Sequence, residues 1–180
     1  MPPINAIKFK KGFNPNYKIT KNNYICVINN NKNNKIMSYI NVYVHFVWST
    51  KNREPFLIKD IRQEVFKHIK ENAKAKNIHI DFINGYVDHV HCLVSLSDSL
   101  SIGKIAQLLK GESSFWINKN KLTREKFAWQ DEYLVIGIGD DKLEIIRDYI
   151  SKQEEHHRKM TFNQEYNKFI KRYGFQIVKK

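Results

Sequence analysis

Residues 78–96 read IHIDFINGYVDHVHCLVSL and carry the strongest signal for the fold of this chain. Its two runs of apolar, β-branched and aromatic residues, 78–86 and 89–96, are typical of β-strands. A short interruption around Val87 and Asp88 joins them. The stretch therefore predicts two consecutive strands.

Regular patterns continue outward from these two strands. The sequence predicts a strand over 39–49, a helix over 58–75, a helix capped by Ser99 or Ser101, a strand over 133–138, a helix over 142–157 and a short helix near 164–173. The order β-α-β-β-α-β is that of the ferredoxin-like α+β fold, with a central antiparallel sheet and here an added C-terminal catalytic helix. In that fold the first and third strands are neighbours at the sheet centre.

The charge of the chain favours a polyanionic partner. The 180 residues carry a formal net charge of +13, which is typical of proteins that bind nucleic acid. Seven lysines and no acidic residue lie within 1–38, so much of this charge precedes the regular patterns. Residues 1–36 are rich in Asn and Lys and are predicted to form a disordered basic leader. The functional domain is predicted over 37–180.

The cysteines and the hydropathy pattern indicate the cellular compartment of the protein. Cys26 and Cys92 provide neither a disulfide framework nor a metal-ligand spacing, which favours a reducing cytosol. No apolar run approaches the length of a membrane span, and the first residues lack the apolar core of a secretory signal. We therefore expect a cytoplasmic protein with no membrane partner.

His89 and His91 flank one apolar residue on a predicted strand. Since side chains alternate along a strand, both imidazoles project from one face, while Val90 and Cys92 face the core helices. Neutral imidazoles in this arrangement can bind a divalent metal ion. Asp88 is placed to orient one of them from behind. Taken alone, such a pair is more typical of two strand histidines hydrogen-bonded to neighbours.

The helix predicted over 142–157 carries the complementary groups. Tyr149 and Gln153 are one turn apart and share a helix face, which His156 extends. The amide oxygen of Gln153 is an acceptable ligand for a hard cation, and a Tyr149 phenolate is a nucleophile suited to phosphoryl transfer on nucleic acid. Ordinary packing of a helical tyrosine is the alternative interpretation.

Several further residues have weaker claims. His45 has the parity to reach the metal side of the first strand, although a structural hydrogen bond is the favoured interpretation. Basic side chains that could contact DNA phosphate, with ordinary solvated charge as the alternative, are Lys51, Arg53, Lys104, Lys110, His156 and His157.

Four motifs occur in a fixed order along the chain. They are YVHFVWSTKNREP at 43–55, DHVHCLV at 88–94, FAWQ at 127–130 and YISKQEEHH at 149–157. Together they resemble the small single-tyrosine transposases of bacterial insertion sequences, within the His-hydrophobic-His nuclease superfamily. The resemblance extends over roughly 37–173.

This resemblance implies a specific chemistry. His89 and His91 would bind Mg²⁺ or Mn²⁺ with Gln153 as third ligand. Tyr149 would attack single-stranded DNA, leaving a 5′-phosphotyrosine and a free 3′-hydroxyl that later serves in strand transfer. The resemblance also implies recognition of DNA hairpins at element ends, and a homodimer in which the tyrosine helix completes the partner's site.

Two alternative functions remain open from the sequence. One is a domesticated relative or nickase that acts on genomic palindromes without moving an element. The other is a non-catalytic RNA- or DNA-binding module of the same strand order. In such modules aromatic residues on the central strands stack bases, whereas this chain offers His, Val, His and Cys at the third strand.

Overall fold

The computed structural model describes residues 40–174, so the predicted leader over 1–36 lies outside the described residues. The strands are β1 (Tyr43–Ser49), β2 (His79–Gly85), β3 (His89–Ser95) and β4 (Leu134–Ile138). The helices are α1 (Lys59–Ala75), α2 (Ile102–Lys119), α3 (Leu143–Ser151), α4 (Gln153–His157) and α5 (Phe162–Tyr173). Short 3-10 turns follow β1 at Lys51–Arg53 and precede α3 at Asp140–Lys142.

The strands form one antiparallel sheet in the order β2-β3-β1-β4. This is the strand order of the ferredoxin-like arrangement, so the predicted α+β fold is confirmed. In the central pair, Val47 of β1 lies opposite His91 of β3, and Ser49 lies opposite His89. The two histidines therefore lie in the middle of the sheet, as the predicted strand order implied.

Helices α1 and α2 share one apolar core with one face of the sheet. The central strands contribute alternate residues to it, namely Val44, Phe46, Trp48, Val90, Cys92 and Val94. Helix α1 adds Val65, Phe66, Ile69 and Ala73, whose three- and four-residue spacing places them along one stripe. Helix α2 begins after Ser101, whose hydroxyl accepts a hydrogen bond from the backbone N–H of Lys104 at 3.2 Å.

The segment predicted as one helix over 142–157 is divided in two. The backbone leaves helical geometry at Lys152, with φ −94° and ψ 19°, between α3 and α4. The side-chain amide of Asn84, on β2, donates to the carbonyls of Ile150 and Ser151 at 2.9 and 3.1 Å, which satisfies acceptors that a helix end leaves free. The bend coincides with complete burial of Gln153.

Helix α5 has signals for both of its ends. Thr161 and Gln164 form a capping box, in which each side chain accepts a hydrogen bond from the other residue's backbone N–H. Gly174 closes the helix in the left-handed conformation, at φ 55°. The predicted short helix near 164–173 is thus confirmed and begins slightly earlier. Among residues 40–174, no helix has the length and apolarity needed to cross a membrane.

Candidate active site

The centre of the site is a row of buried histidines on β1 and β3. His45, His89 and His91 have no exposed surface. Nε2 of His45 lies 3.0 Å from Nδ1 of His91, and the two rings stack with centroids 5.1 Å apart. The structural hydrogen bond expected for His45 is confirmed, and this bond fixes the orientation of the His91 ring.

The proton positions on His89 follow from its partner. Nδ1 of His89 lies 2.7 Å from a carboxylate oxygen of Asp88, which can only accept when ionised, so Nδ1 carries the hydrogen. With the hydrogen on Nδ1, Nε2 is the ring atom left to bind a metal ion. This buried atom has no hydrogen-bond partner among the described residues, and the same holds for Nε2 of His91.

His157 also presents a lone pair toward this cluster. Its Nδ1 lies 2.9 Å from the carbonyl oxygen of Met160, which can only accept, so the hydrogen is on Nδ1. Its Nε2 lies 3.1 Å from the amide oxygen of Gln153 and 3.2 Å from a carboxylate oxygen of Glu165. Acceptor atoms thus converge on one another without a donor between them. Such an arrangement is stable only if a cation or a proton lies among them.

Four residues form a group that could hold a metal ion. The ligand atoms of His89, His91, His157 and Glu165 all lie within 4.8 Å of one another. His89 and His91 are the two ligands predicted from the sequence. The predicted third ligand, Gln153, is buried beside them, with its amide oxygen facing His157.

Burial favours the neutral form of His45, His91 and His157 by lowering the pKa of each. Desolvation lowers the pKa of His45 to about 3 and, with the field of His89, the pKa of His157 to about 4. Burial first, and the neighbouring histidines second, lower the pKa of His91 well below its usual value. Burial also raises the pKa of Glu165 to about 8, with Asp88 adding to the rise. A bound cation would favour the opposite, ionised form of this carboxyl group.

These donors fit a divalent metal ion. Imidazole nitrogens with a carboxylate or an amide oxygen bind Mn²⁺ and other first-row ions, and the oxygens also suit Mg²⁺. The unpartnered Nε2 atoms of His89 and His91 are the specific observation that supports this fit.

Tyr149 of the same chain lies beside the histidines. Its ring is edge-on to His91 and His45, with centroid distances of 5.6 and 6.3 Å, and its hydroxyl oxygen is buried without a partner among the described residues. His156 lies on its other side, at a ring distance of 5.3 Å. Burial lowers the pKa of His156, so this ring is also neutral.

Helix α5 covers these groups. Phe162 stacks on His89, with centroids 4.4 Å apart and planes 14° apart. Phe169 contacts the rings of His45 and Tyr149 at 6.2 and 6.4 Å. Since α5 also carries Glu165, one face of this helix closes the site.

The lysine and arginine candidates for DNA binding are distributed over the surface. Arg53 lies nearest the site, where its guanidinium stacks over Phe162 at 4.9 Å and lines a cavity of about 600 Å³. Lys51 pairs with Asp131 at 3.7 Å. Lys110 donates to the carbonyl of Asp131, and Lys104 to the side chain of Gln107, both on the surface.

Two residues of this candidate group, His157 and Glu165, were not predicted from the sequence as metal ligands. His157 had a signal, because it lies four residues after Gln153 and eight after Tyr149, the spacing of one helix face. Glu165 had none, because it belongs to a separate helix whose docking no local pattern reports. Both His156 and His157 lie at the site. From the sequence they were candidates for phosphate contact or for stabilising the phenolate, and not for metal binding.

A ferredoxin-like sheet with a buried histidine cluster and an adjoining tyrosine defines an α+β protein with a candidate metal centre and nucleophile. Comparison with known families then identifies it further. A family model described as IS200-like transposase matches residues 21–153, and the chain belongs to this family. It is therefore a DNA-processing enzyme of the transposase class.

Individual relatives agree with the family. Two transposases for insertion sequence element IS200, from Salmonella typhimurium and Salmonella typhi, are each 27% identical over 121 residues. The match covers 64% of this chain and 78% of each relative.

Two solved structures have the same fold. A candidate transposase from Deinococcus radiodurans aligns at a TM-score of 0.54 and 20% identity, over 68% of this chain and 97% of that one. A REP-associated tyrosine transposase bound to a REP hairpin aligns at 0.52 and 16% identity, over 70% and 74% of the two chains.

Proposed function

We propose that this transposase cleaves and rejoins single-stranded DNA through a 5′-phosphotyrosine intermediate on Tyr149. The observation that carries the proposal is the position of the Tyr149 ring, 5.6 Å from His91, with its hydroxyl oxygen unpartnered among the described residues. A buried hydroxyl without a hydrogen bond is costly, and such costs are typical of groups kept for chemistry.

In the proposed cleavage, the Tyr149 hydroxyl oxygen forms a bond to phosphorus and the bond from phosphorus to the 3′-oxygen breaks. The phenol loses one proton and the departing 3′-oxygen gains one, so cleavage leaves a 3′-hydroxyl and needs no water. In strand transfer, a 3′-hydroxyl attacks the phosphotyrosine and the tyrosine regains its proton. His156, neutral and beside the Tyr149 ring, is placed to take up the phenol proton.

We propose His89, His91 and Gln153 as ligands of Mg²⁺ or Mn²⁺ in this reaction. When bound, the ion would polarise the phosphoryl group and offset its charge. The chain's own contribution is orientation. Asp88 and His45 each contact the Nδ1 of one histidine, which directs both Nε2 atoms toward the same point.

We propose single-stranded DNA hairpins at element ends as the substrate. A relative of the same fold is bound to a REP hairpin, which supports hairpin DNA as the partner class. The cavity beside Phe162 offers one cation, Arg53, and three side-chain amides, those of Asn52, Gln130 and Asn163. Phe162 itself stacks on His89, which places the cavity near the histidines. Phosphate and base contacts of this kind position a strand for cleavage.

The homodimer with sites completed in trans also stands as a proposal. The described chain brings its own Tyr149 to its own His91, so the cis arrangement is the competing form. A mixture of Tyr149→Phe and His89→Ala proteins separates the two. Recovery of cleavage in the mixture, with each variant inactive alone, would establish the trans arrangement. Continued inactivity, with dimers detected by light scattering, would establish cis.

A covalent-adduct assay tests the central proposal. Wild-type protein, a 5′- or 3′-labelled DNA hairpin with a single-stranded flank, and Mn²⁺ should give a protein–DNA species on a denaturing gel. The label should stay with the protein only when it lies on the 3′ side of the cleaved bond. Tyr149→Phe should form none and should bind the hairpin as before. Equal adduct with Tyr149→Phe would reject the nucleophile, and hairpin binding without any adduct would favour the non-catalytic module.

Parallel assays with genomic palindromes in place of element ends separate transposition from a domesticated role. A transposase should join the cleaved element ends to a second strand. A nickase acting on palindromes should give cleavage without joining.

A further inference from the structure

Helix α5 is held to the rest of the protein in an unusual way. Only two of its residues, Phe162 and Glu165, are buried, and one of these is a carboxyl group. By contrast, five residues of α1 are buried, mostly apolar. The placement of α5 therefore depends strongly on what Glu165 contacts.

The surroundings of Glu165 call for a cation. One carboxylate oxygen lies 3.2 Å from Nε2 of His157 and the other lies 3.5 Å from Nε2 of His91. Neither oxygen has a hydrogen bond among the described residues, and the side chain is 4% exposed. Since the Nδ1 hydrogen of His157 is committed to Met160, its Nε2 offers a lone pair toward this carboxylate. In the metal-free protein a proton on Glu165 can satisfy His157, and a divalent ion that replaces this proton would satisfy both groups together with the unpartnered Nε2 of His91.

We propose that Glu165 is a metal ligand in the DNA-free protein, and that α5 is a lid which single-stranded DNA displaces when it enters the site. The proposal rests on the proposed function and adds a resting state to it. In that state His157 and Glu165 complete a set of ligands with His89 and His91. On DNA binding, the oxygen of Glu165 gives up its place to an oxygen of the scissile phosphate.

The contacts of α5 explain why it must move. The hydroxyl oxygen of Tyr149 and the Nε2 atoms of His89 and His91 are all buried, so a phosphate cannot reach them while α5 stays in place. Phe162 and Phe169 of α5 cover these rings. One displacement would therefore free the nucleophile and the metal ligands together.

The same displacement would release Arg53. Its guanidinium stacks over Phe162 at 4.9 Å and lies 6.0 Å from the Tyr166 ring, both on α5. In the closed state these aromatic rings bind the guanidinium of Arg53, which is the cation best placed to contact a DNA phosphate. Closure thus withholds a DNA contact as well as the reacting groups.

The lid is separate from the part of the chain that defines the family. The family match ends at residue 153, before both His157 and Glu165. The two added ligands of the proposal therefore lie outside the range that the family model matches.

The test uses the full chain and measures Mn²⁺ binding first. Calorimetric titration of the DNA-free protein should show that Glu165→Gln weakens Mn²⁺ binding by about 10- to 100-fold. Glu155→Gln is the matched control, since it makes the same change at an exposed carboxylate of α4, and it should bind Mn²⁺ as the wild type does. Phe169→Ala, which loosens α5 without removing a ligand, should weaken binding by a smaller factor.

The second measurement is the rate of adduct formation at saturating Mn²⁺. Glu165→Gln and Phe169→Ala should both form the Tyr149 adduct several-fold faster than wild type, because the closed state is weakened. Unchanged Mn²⁺ affinity in Glu165→Gln would overturn the ligand assignment, and a slower or abolished adduct would overturn the lid. Failure of the proposed function is distinguishable, since it would leave wild type without any adduct while the Mn²⁺ titration still reports on Glu165.

Discussion

The two faces of the β1–β3 pair differ in what they bury. On one face, Phe46, Val90 and Cys92 are enclosed by apolar side chains of α1 and α2. On the other, His45, His89 and His91 are buried to the same degree but meet Glu165, Gln153 and other polar groups. Adjacent residues of one strand thus serve opposite purposes.

One face of the strand pair therefore provides folding stability, and the other carries the candidate reactive groups. The thiol of Cys92 illustrates the core face, where burial raises its pKa far above the usual range and leaves it unreactive. The site face retains buried lone pairs and a hydroxyl without partners, which an apolar core would not tolerate. The core face supplies the free energy that keeps this costly arrangement in place.

Truncation on the core face should have the largest effect on folding. Phe46→Ala removes a fully buried ring and should lower the free energy of unfolding by about 3–5 kcal/mol. Urea denaturation followed by circular dichroism measures this. A loss below about 1 kcal/mol would mean that this face is not the main source of stability.

Truncation on the site face should instead affect the metal. His89→Ala should weaken Mn²⁺ binding by at least about 100-fold, because it removes a ligand atom rather than a packed apolar group. Its free energy of unfolding without metal should change far less than that of Phe46→Ala. Mn²⁺ affinity equal to that of wild type would remove His89 from the ligand set and break the contrast between the faces.

A change behind the ligands should have an intermediate effect. Asp88→Asn keeps an acceptor near Nδ1 of His89 but removes the charge that orients the ring, so Mn²⁺ affinity should fall by about tenfold. The same titration measures it, with Asp98→Asn, at an exposed carboxylate in the loop before α2, as control. Equal affinities in both variants would show that Asp88 does not act on the metal.

The smallest expected effect concerns DNA binding at the edges of the two faces. Arg53→Ala should reduce hairpin affinity and lower the slope of its salt dependence by about 1, because Arg53 lines the cavity at the site. Lys104→Ala, on α2 of the core side, should change neither measurably. Fluorescence anisotropy over a range of salt concentrations provides both slopes. A larger loss of hairpin affinity in Lys104→Ala than in Arg53→Ala would show that the DNA binds on the α2 side of the protein.

Much of this organisation could be predicted from local pattern. The alternation around His89 and His91 predicted that both side chains share one face of the sheet. The one-turn spacing between Tyr149 and Gln153 predicted which helix would approach these histidines. Asp88 was predicted as an orienting group because it adjoins the pair, and its carboxylate lies 2.7 Å from His89. Periodicity is informative here because each relation lies within one element or between sequence neighbours.

The remainder depends on long-range packing that no local pattern encodes. The bend at Lys152 has no glycine or proline to signal it, and it follows contacts with Asn84 of a distant strand. Glu165 looks like an ordinary solvated residue of an amphipathic helix in the sequence. Its burial arises only when α5 docks on the histidines.

The caps of α5 have a consequence for how quickly the site can close again. The capping box at Thr161 and the left-handed Gly174 satisfy the helix ends with residues of the helix itself. An undocked α5 would therefore keep both of its ends capped, which favours its helical form, although a helix of 12 residues still gains much of its stability from packing on the sheet. Reclosure after strand release then costs mainly the docking of two aromatic rings and one carboxylate. A lid preorganised in this way shortens the time for which Tyr149 is exposed to DNA strands other than its substrate.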